Sequence, residues 1–285
     1  MQTLSIGEIL WDIFPDKKVW GGAPANFIFH TAQMGAQAAV YSAVGDDALG
    51  REITQLIKAC GINLRAPIVD YPTGVVDITL NEDGSANYKF NSDCAWDHIP
   101  LNAELINLCS NADLIAFGSL AQRSEESRKT IIEALRHRRP SCKVLFDINL
   151  RQDFYDLDII TRSLNECDIL KLNEEEITIV CDLLRLSKDE VLEVFNLDLI
   201  ILTLGAEGSS IISKNTVSHL PASPCEIVDT VGAGDSFTAY FIINYLQGMP
   251  IKEAQKLASD VAAYVCSHSG ATVELPQKFK VLRNN

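Results

Sequence analysis

The sequence predicts an α/β fold with a mainly parallel central sheet and a small β-sheet lid. Short apolar runs alternate with amphipathic stretches over most of the chain, which is typical of β-α units packed into a parallel sheet. Residues 68–92 interrupt this alternation, because they contain two strand-like runs without a helix between them. We therefore expect one α/β domain over residues 1–285, with the lid formed by about 12–20 and 68–95.

The composition excludes several kinds of partner and site. The 285 residues carry a net charge of −14, which disfavours nucleic acid and anionic membranes as partners. The eight cysteines lack a C-x-x-C pair, and the five histidines lack the spacing of a zinc site. No apolar run has the length of a membrane span, and no secretory leader precedes the first strand-like run. We expect reduced thiols and a cytoplasmic location.

The first expected strand covers residues 3–10 and is followed by Asp12. A carboxylate at this point lies at the carboxyl edge of the sheet, where open α/β folds bind ligands. A glycine turn then opens a helix that contains Asn26 in its first turns. This asparagine either makes a hydrogen bond at the helix start or binds a polyol hydroxyl.

The remaining elements follow in order. Residues 38–44 form a second strand, and the apolar stripe from 49 to 60 forms a helix. The strand-like runs at 75–80 and 86–90 surround an expected turn at 81–85, as an ordinary surface hairpin or as a lid over a ligand. Later strands are expected at 114–117, 143–148, 168–172, 199–204, 209–213 and 216–220. A last amphipathic helix follows, with Ala254, Leu257, Val261 and Val265 facing inward.

Polar residues follow two of these later strands. Arg151 either meets substrate or phosphate oxygens or is exposed to solvent beside a structural Asp147. Asn173 and Glu176 open a helix, where a carboxylate is favoured by the helix dipole. The next strand, which contains Thr203, leads into a turn with Gly205 and Gly208.

The functional prediction depends most on residues 229–237, Asp-Thr-Val-Gly-Ala-Gly-Asp-Ser-Phe. Its glycines allow a ligand to approach the backbone, and the apolar spacing from Phe237 to Leu246 predicts one face of a helix. The free N–H groups at such a helix start form an anion site. Asp235 lies in the first turn, where a carboxylate beside a phosphate can accept the proton of an attacking hydroxyl. The alternative is a capped helix whose acidic first turn has no catalytic role.

This stretch resembles the C-terminal signature of the ribokinase-like (PfkB) carbohydrate kinases. The resemblance implies a ribokinase-like three-layer core. It also implies that Asp235 is the catalytic base and that the backbone of Gly232, Ala233 and Gly234 forms an anion hole for the transferred phosphoryl group.

A second resemblance lies near the N-terminus. Gly21, Gly22 and Asn26, with Gly35 and Gly45, match the N-terminal signature of the same family. The resemblance implies that the sugar is bound by Asp12, Gly22 and Asn26, with Arg151 as a further candidate. The spelling Gly-Gly-Ala-Pro-Ala-Asn is more similar to fructokinases than to ribokinases.

The resemblance also implies where ATP and ions bind. Asn173 and Glu176 match the family's Asn-x-x-Glu motif, which organises Mg²⁺ and phosphate, with Glu176 acting through water. Asp229, with the threonine after it, resembles the pair found in potassium-activated members. The nucleotide is expected to contact Thr203, Gly205, Gly208 and Ser259.

These observations predict an ATP-dependent sugar kinase that phosphorylates a hydroxymethyl group, with fructose as the first choice. Kinases of 2-keto-3-deoxygluconate or ribose are the alternatives within the class, and a non-catalytic sugar sensor is the alternative outside it. An oxidoreductase is disfavoured because no strand is followed by G-x-G-x-x-G, and a P-loop kinase because G-x-x-x-x-G-K-[ST] is absent. The expected partners are a monosaccharide, ATP with Mg²⁺ and K⁺, and a second copy of the chain bound through the lid.

Overall fold

A computed structural model describes residues 1–80 and 86–280 of the chain. The turn predicted at 81–85 lies outside the described residues. None of the helices in this part of the chain is both long and apolar enough to cross a bilayer.

The strands and helices follow the order that the sequence predicts, with some differences in their bounds. The strands are β1 (Gln2–Ile6), β2 (Leu10–Ile13), β3 (Lys18–Gly21), β4 (Gln37–Tyr41), β5 (Val44–Gly45), β6 (Asn63–Arg65), β7 (Ile68–Val69), β8 (Gly74–Leu80), β9 (Ala86–Phe90), β10 (Leu114–Phe117), β11 (Lys143–Asp147), β12 (Ile169–Asn173), β13 (Leu199–Thr203), β14 (Ser209–Ser213) and β15 (Val217–Leu220). The helices are α1 (Ala23–Gln33), α2 (Ala48–Ala59), α3 (Ala103–Asn111), α4 (Glu125–Arg136), α5 (Leu157–Glu166), α6 (Glu174–Leu184), α7 (Lys188–Val194), α8 (Ala233–Leu246) and α9 (Ile251–Cys266).

The central sheet confirms the predicted α/β fold. Within the described ranges it has nine strands in the order β15-β14-β13-β12-β11-β10-β1-β4-β6. The pairs from β13 to β6 are parallel, and β14 and β15 are antiparallel. One face packs on α3 to α7 and the other on α1, α2, α8 and α9, because the strands bury alternate residues on opposite faces. The result is three layers, helix on sheet on helix.

The small sheet has the order β3-β2-β8-β9 in the described part of the chain. Strand β2 pairs in parallel with β8 and antiparallel with β3. The single strand that we expected over residues 3–10 is wrong, since β1 ends at Ile6 and β2 belongs to the small sheet. A continuous apolar run predicts burial, but it does not show that the chain changes sheets within it. Asp12 consequently lies on a strand of the small sheet and not at the end of a central strand.

Helix α8 differs from the one-sided helix that the sequence predicts. Its residues from Ser236 to Asn244 are buried without interruption. The helix packs against both α1 and α9, so each side of it meets another element. This burial holds the N-terminus of α8 rigidly at the carboxyl edge of the central sheet.

Candidate active site

Helix α1 begins at Gly22, in a conformation that favours glycine. Its φ is 116°, and a Cβ at this position would stand 2.4 Å from the carbonyl oxygen of Glu8. The missing side chain therefore lets α1 start close to the junction of the two sheets. Asn26, in the opening turns of α1, is buried and donates a hydrogen bond from Nδ2 to Oδ2 of Asp235 at 2.9 Å. This bond joins the starts of α1 and α8.

Helix α8 begins after Gly232, whose φ is 76°. A Cβ on Gly232 would stand 2.6 Å from the Cα of Ala271, so only glycine fits here without displacing the neighbouring backbone. The first amides of the helix have no carbonyl partner within it and form the positive end of its dipole. The amide of Ala233 donates to the carbonyl of Thr230, just before the helix, at 3.3 Å. The structure therefore places a glycine-capped helix start at the position of the predicted anion site, with Asp235 in its first turn.

A buried lysine, Lys171 on β12, lies beside this helix start. Its Nζ is 2.9 Å from Oδ1 of Asp147, at the end of β11, and 3.6 Å from the position that a Cβ on Gly234 would take. Burial alone would lower the pKa of Lys171, but the carboxylates of Asp147, Glu176 and Asp235 raise it above its usual value. The ammonium group is therefore charged at neutral pH and lies beside the first turn of α8.

The sequence reasoning missed Lys171, although a signal was present. The residue lies within the apolar run Ile-Leu-Lys-Leu-Asn of β12, and it is only 8% exposed. A charged side chain inside a central parallel strand requires a partner or a ligand, because burying an unpaired charge is costly. Lys171 points to the same face of the sheet as Ile169, which packs in the layer of α8.

The two aspartates beside this lysine are only partly exposed. Burial raises the pKa of Asp235, and the charges of Lys171 and Arg151 and the hydrogen bond from Asn26 offset part of this effect. Burial also raises the pKa of Asp147, which Lys171 lowers and Asp235 raises further. A carboxylate with a raised pKa is a better proton acceptor than an exposed one.

Asp12 and Arg151 lie at the outer side of this cluster. Burial raises the pKa of Asp12 to about 6, and the charge of Arg151 lowers it. The Arg151 side chain is exposed and donates a hydrogen bond to the carbonyl of Leu150 at 2.9 Å. Its positive charge lowers the pKa of four acids around the site: Glu8, Asp12, Asp147 and Asp235. Among the predicted sugar residues, Arg151 therefore interacts with Asp12, while the partner of Asp147 is Lys171.

Glu8 is a fully enclosed acid at the junction of the two sheets. It is 2% exposed, and its Oε2 accepts no hydrogen bond from the described residues. Burial raises the pKa of Glu8 to about 7, against the opposing effects of backbone hydrogen bonds and of Arg151. A cavity of about 20 Å³, enough for roughly one water molecule, lies between Glu8, Asp147 and Asn149.

Asn173 and Glu176 form a capping box at the start of α6. The Asn173 side chain accepts a hydrogen bond from the amide of Glu176, and Oε2 of Glu176 accepts one from the amide of Asn173. The other oxygen, Oε1, accepts from the amide of Leu150 at 2.9 Å. Both oxygens of Glu176 thus hold the backbone at the carboxyl ends of β11 and β12, and Thr203 pairs with Asn173 on the next strand.

Ser259 lies on α9 and is buried. Its hydroxyl accepts hydrogen bonds from both the amide and the hydroxyl of Ser223, so it fixes the segment that follows β15. Gly205 and Gly208 flank a short 3₁₀ turn between β13 and β14. The side chain of Ser259 therefore already has a protein partner in the region where the nucleotide is expected.

Asp229 also binds backbone on both sides. Its two carboxylate oxygens accept hydrogen bonds from the amides of Val231 and Gly270, at 3.0 and 2.8 Å. Across residues 1–80 and 86–280, no three His, Cys, Asp or Glu side chains lie close enough together to bind a metal ion. Mg²⁺ is usually bound through one or two carboxylates together with phosphate oxygens and water, so it does not require a cluster of three such side chains.

The site combines a helix N-terminus, a charged lysine and a partly buried acid. An enzyme that transfers a phosphoryl group needs groups of these kinds. The model of the pfkB family carbohydrate kinases matches residues 15–278. The chain therefore belongs to the PfkB family of carbohydrate kinases, which confirms the predicted family, fold and enzyme class.

Similar proteins match over almost the whole chain. A fructokinase of Klebsiella pneumoniae is 30% identical, over 98% of this chain and 97% of its own. Fructokinase-1 of Oryza sativa is 26% identical, over 99% and 96%. Among solved structures, an uncharacterized sugar kinase of Pyrococcus horikoshii in complex with ATP superposes with a TM-score of 0.85 at 26% identity, covering 95% of this chain and 94% of that one.

Glu8 gives a prediction about stability and pH. Its pKa is about 7 in the folded protein and about 4.5 ordinarily. Below pH 4.5 the side chain is neutral in both the folded and the unfolded state, and the protein has its full stability. This stability is lost as the pH rises through 7, because only the unfolded state then holds the charged form without cost. The variant Glu8→Gln cannot ionise. We expect it to match the parent at pH 4.5 and to exceed it by up to about 3 kcal/mol at pH 8, in urea unfolding.

The exposed Glu193→Gln on α7 removes the same charge without the burial and should show no such pH dependence. A Glu8→Gln protein that loses equal stability at both pH values would show that the pKa of Glu8 is not raised in the folded protein.

Proposed function

We propose that this protein transfers the γ-phosphoryl group of ATP to a hydroxymethyl group of a monosaccharide, most specifically of fructose. The observation that carries the proposal is the hydrogen bond between Asn26 and Asp235 at the glycine-opened start of α8. It joins a predicted sugar-binding residue directly to the predicted base. The fructokinases of Klebsiella pneumoniae and Oryza sativa support fructose as the substrate.

Each group at the site has a defined part in this proposal. Asp235 accepts the proton of the attacking hydroxyl, for which its raised pKa suits it. The backbone amides of residues 232–235 and the Lys171 ammonium stabilise the negative charge that develops on the transferred group. Positioning of the two reactants supplies much of the rate enhancement.

Asp12, Gly22 and Asn26 hold the sugar in this proposal, and Arg151 binds an outer oxygen of the sugar or a phosphate. Asp12 suits this role because its carboxylate lies beside Gly21, immediately before the start of α1. The small sheet then acts as the lid that keeps water from the reacting phosphate.

ATP lies at the carboxyl edge of β12 and β13 in this proposal, near Asn173, Thr203, Gly205, Gly208 and Ser259. The donor groups fit Mg²⁺, which keeps several waters and uses phosphate oxygens, so Glu176 would act through water. Mg²⁺ supplies positive charge that neutralises the phosphates when it is bound. A monovalent cation near Asp229 would take backbone carbonyl ligands, since both Asp229 oxygens accept from amides.

The proposal extends to the setting of the enzyme. We propose that it acts in the cytoplasm and that a second copy binds through the small sheet. Kinases of 2-keto-3-deoxygluconate or ribose are the alternatives in substrate, and a sugar sensor without turnover is the alternative in class.

The first test is ADP formation from MgATP in a coupled assay, with fructose, 2-keto-3-deoxygluconate, ribose, glucose and adenosine as acceptors, with and without K⁺. We expect the highest kcat/KM with fructose. A higher value for another acceptor would keep the mechanism and overturn fructose as the substrate. Tight sugar binding without ADP formation for any acceptor would favour the sensor.

Asp235→Ala should lower kcat by about 10²–10⁴-fold, since it removes the proton acceptor. Sugar affinity, measured by calorimetry, should stay near that of the parent. Asp189→Ala removes a carboxylate from the first turn of α7, outside the site, and should leave kcat unchanged. Turnover by Asp235→Ala at the parent's rate would exclude Asp235 as the base.

Lys171→Met should lower kcat by roughly 10²–10³-fold, because it removes a positive charge from beside the transferred group. The change also leaves Asp147 without its partner, so the midpoint of thermal unfolding should fall as well. Lys143→Met makes the same change at the start of β11, where Lys143 pairs with Asp198. If Lys143→Met lowers kcat as much as Lys171→Met does, the loss of activity in Lys171→Met would be due to reduced stability alone.

A further inference from the structure

The backbone at residues 270 and 271 forms a wall against the start of α8. Ala271 packs so closely on Gly232 that a Cβ on that glycine would meet its Cα, Cβ and carbonyl oxygen within 2.8 Å. The amide of Gly270 donates to Asp229 at 2.8 Å, so Asp229 fixes this wall from the loop before α8. The position of the wall therefore decides where Gly232 and the amides after it can lie.

The other fixed point of the wall is His30 on α1. Its Nε2 lies 2.9 Å from the carbonyl oxygen of Ala271, and the side chain is fully buried. Since a carbonyl only accepts, Nε2 carries the proton and donates it. Burial lowers the pKa of His30 to about 4, so the ring is neutral at physiological pH and this tautomer persists.

His30 follows Asn26 by one helical turn on α1. Residues four apart lie on the same face of a helix, so both side chains of this pair reach toward α8. Asn26 binds Asp235 in the first turn of α8, and His30 binds the wall that touches Gly232. One rigid helix thus holds both the candidate base and the backbone that precedes the anion site.

We propose that His30 is a positioning residue for the transfer step. It holds Ala271 in place, so that the amides after Gly232 keep their position relative to the Asp235 carboxylate. The inference rests on the proposed function. It differs from a space-filling role, in which any side chain of similar volume would serve. Small displacements of a catalytic group can cost about 10²-fold in rate, which gives the hydrogen bond a measurable effect on kcat.

The test compares variants that keep or lose the donor. The amide of His30→Gln can reach the place of Nε2, so we expect kcat within about threefold of the parent. His30→Leu fills the space without a donor, and the shorter His30→Asn does not reach the carbonyl. We expect both to lower kcat by roughly 10–100-fold, with KM for the sugar changed less than about threefold.

Gln33→Leu is the matched control. Gln33 lies on the same helix and binds the same C-terminal segment, through Val273 and Leu275, but farther from Gly232. It should lower the unfolding midpoint and leave kcat unchanged. Because His30→Gln and His30→Asn are both polar, this pair alone decides the question if His30→Leu fails to fold.

Equal kcat in His30→Gln, His30→Asn and the parent would overturn the positioning role. So would a fall in kcat in Gln33→Leu as large as in His30→Asn, because the effect would then follow general loosening of the segment. A parent protein that forms no ADP with any sugar tested would instead overturn the proposed function, which separates the two failures.

Discussion

The contact between α1 and α8 is the constraint on which the site depends. The hydrogen bond from Asn26 to Asp235 joins residues that are 209 positions apart in the chain. Because α8 is buried along its length between α1 and α9, neither helix start can move without displacing packed apolar side chains. The packed core therefore holds the few polar groups at the edge of the sheet in fixed positions.

Electrostatics at this edge explains why Lys171 is tolerated in the interior. Asp147, Asp235 and Glu8 are acids whose pKa values are all raised by burial, and ionising them together would be costly without a nearby cation. Lys171 stabilises the charged forms of the two aspartates, while its own charge is stabilised by them. Lys171 and the two aspartates are thus coupled charges, and the ionisation of each depends on the state of the others.

The sequence predicts the features that are local in the chain. Alternating apolar runs predict the parallel sheet and its helices, and the glycine-rich stretch before α8 predicts a helix start with Asp235 in its first turn. The passage of the chain from the central sheet at β1 to the small sheet at β2 is not predictable in this way. An apolar pattern indicates that a strand is buried, but it does not indicate which strand it pairs with. Lys171 and His30 were missed for a related reason: their importance comes from partners on distant segments, Asp147 and Ala271.

The junction between the two sheets adds a last step to this argument. The chain leaves the central sheet after Ile6 and enters the small sheet at Leu10, so Glu8 lies where the two sheets are joined. The same residue supplies the carbonyl that Gly22 approaches at the start of α1. One of the connections between the small sheet and the core is therefore the segment that touches α1, and α1 in turn holds Asp235. The position of the small sheet and the alignment of the candidate base are thus mechanically connected through a few residues of backbone.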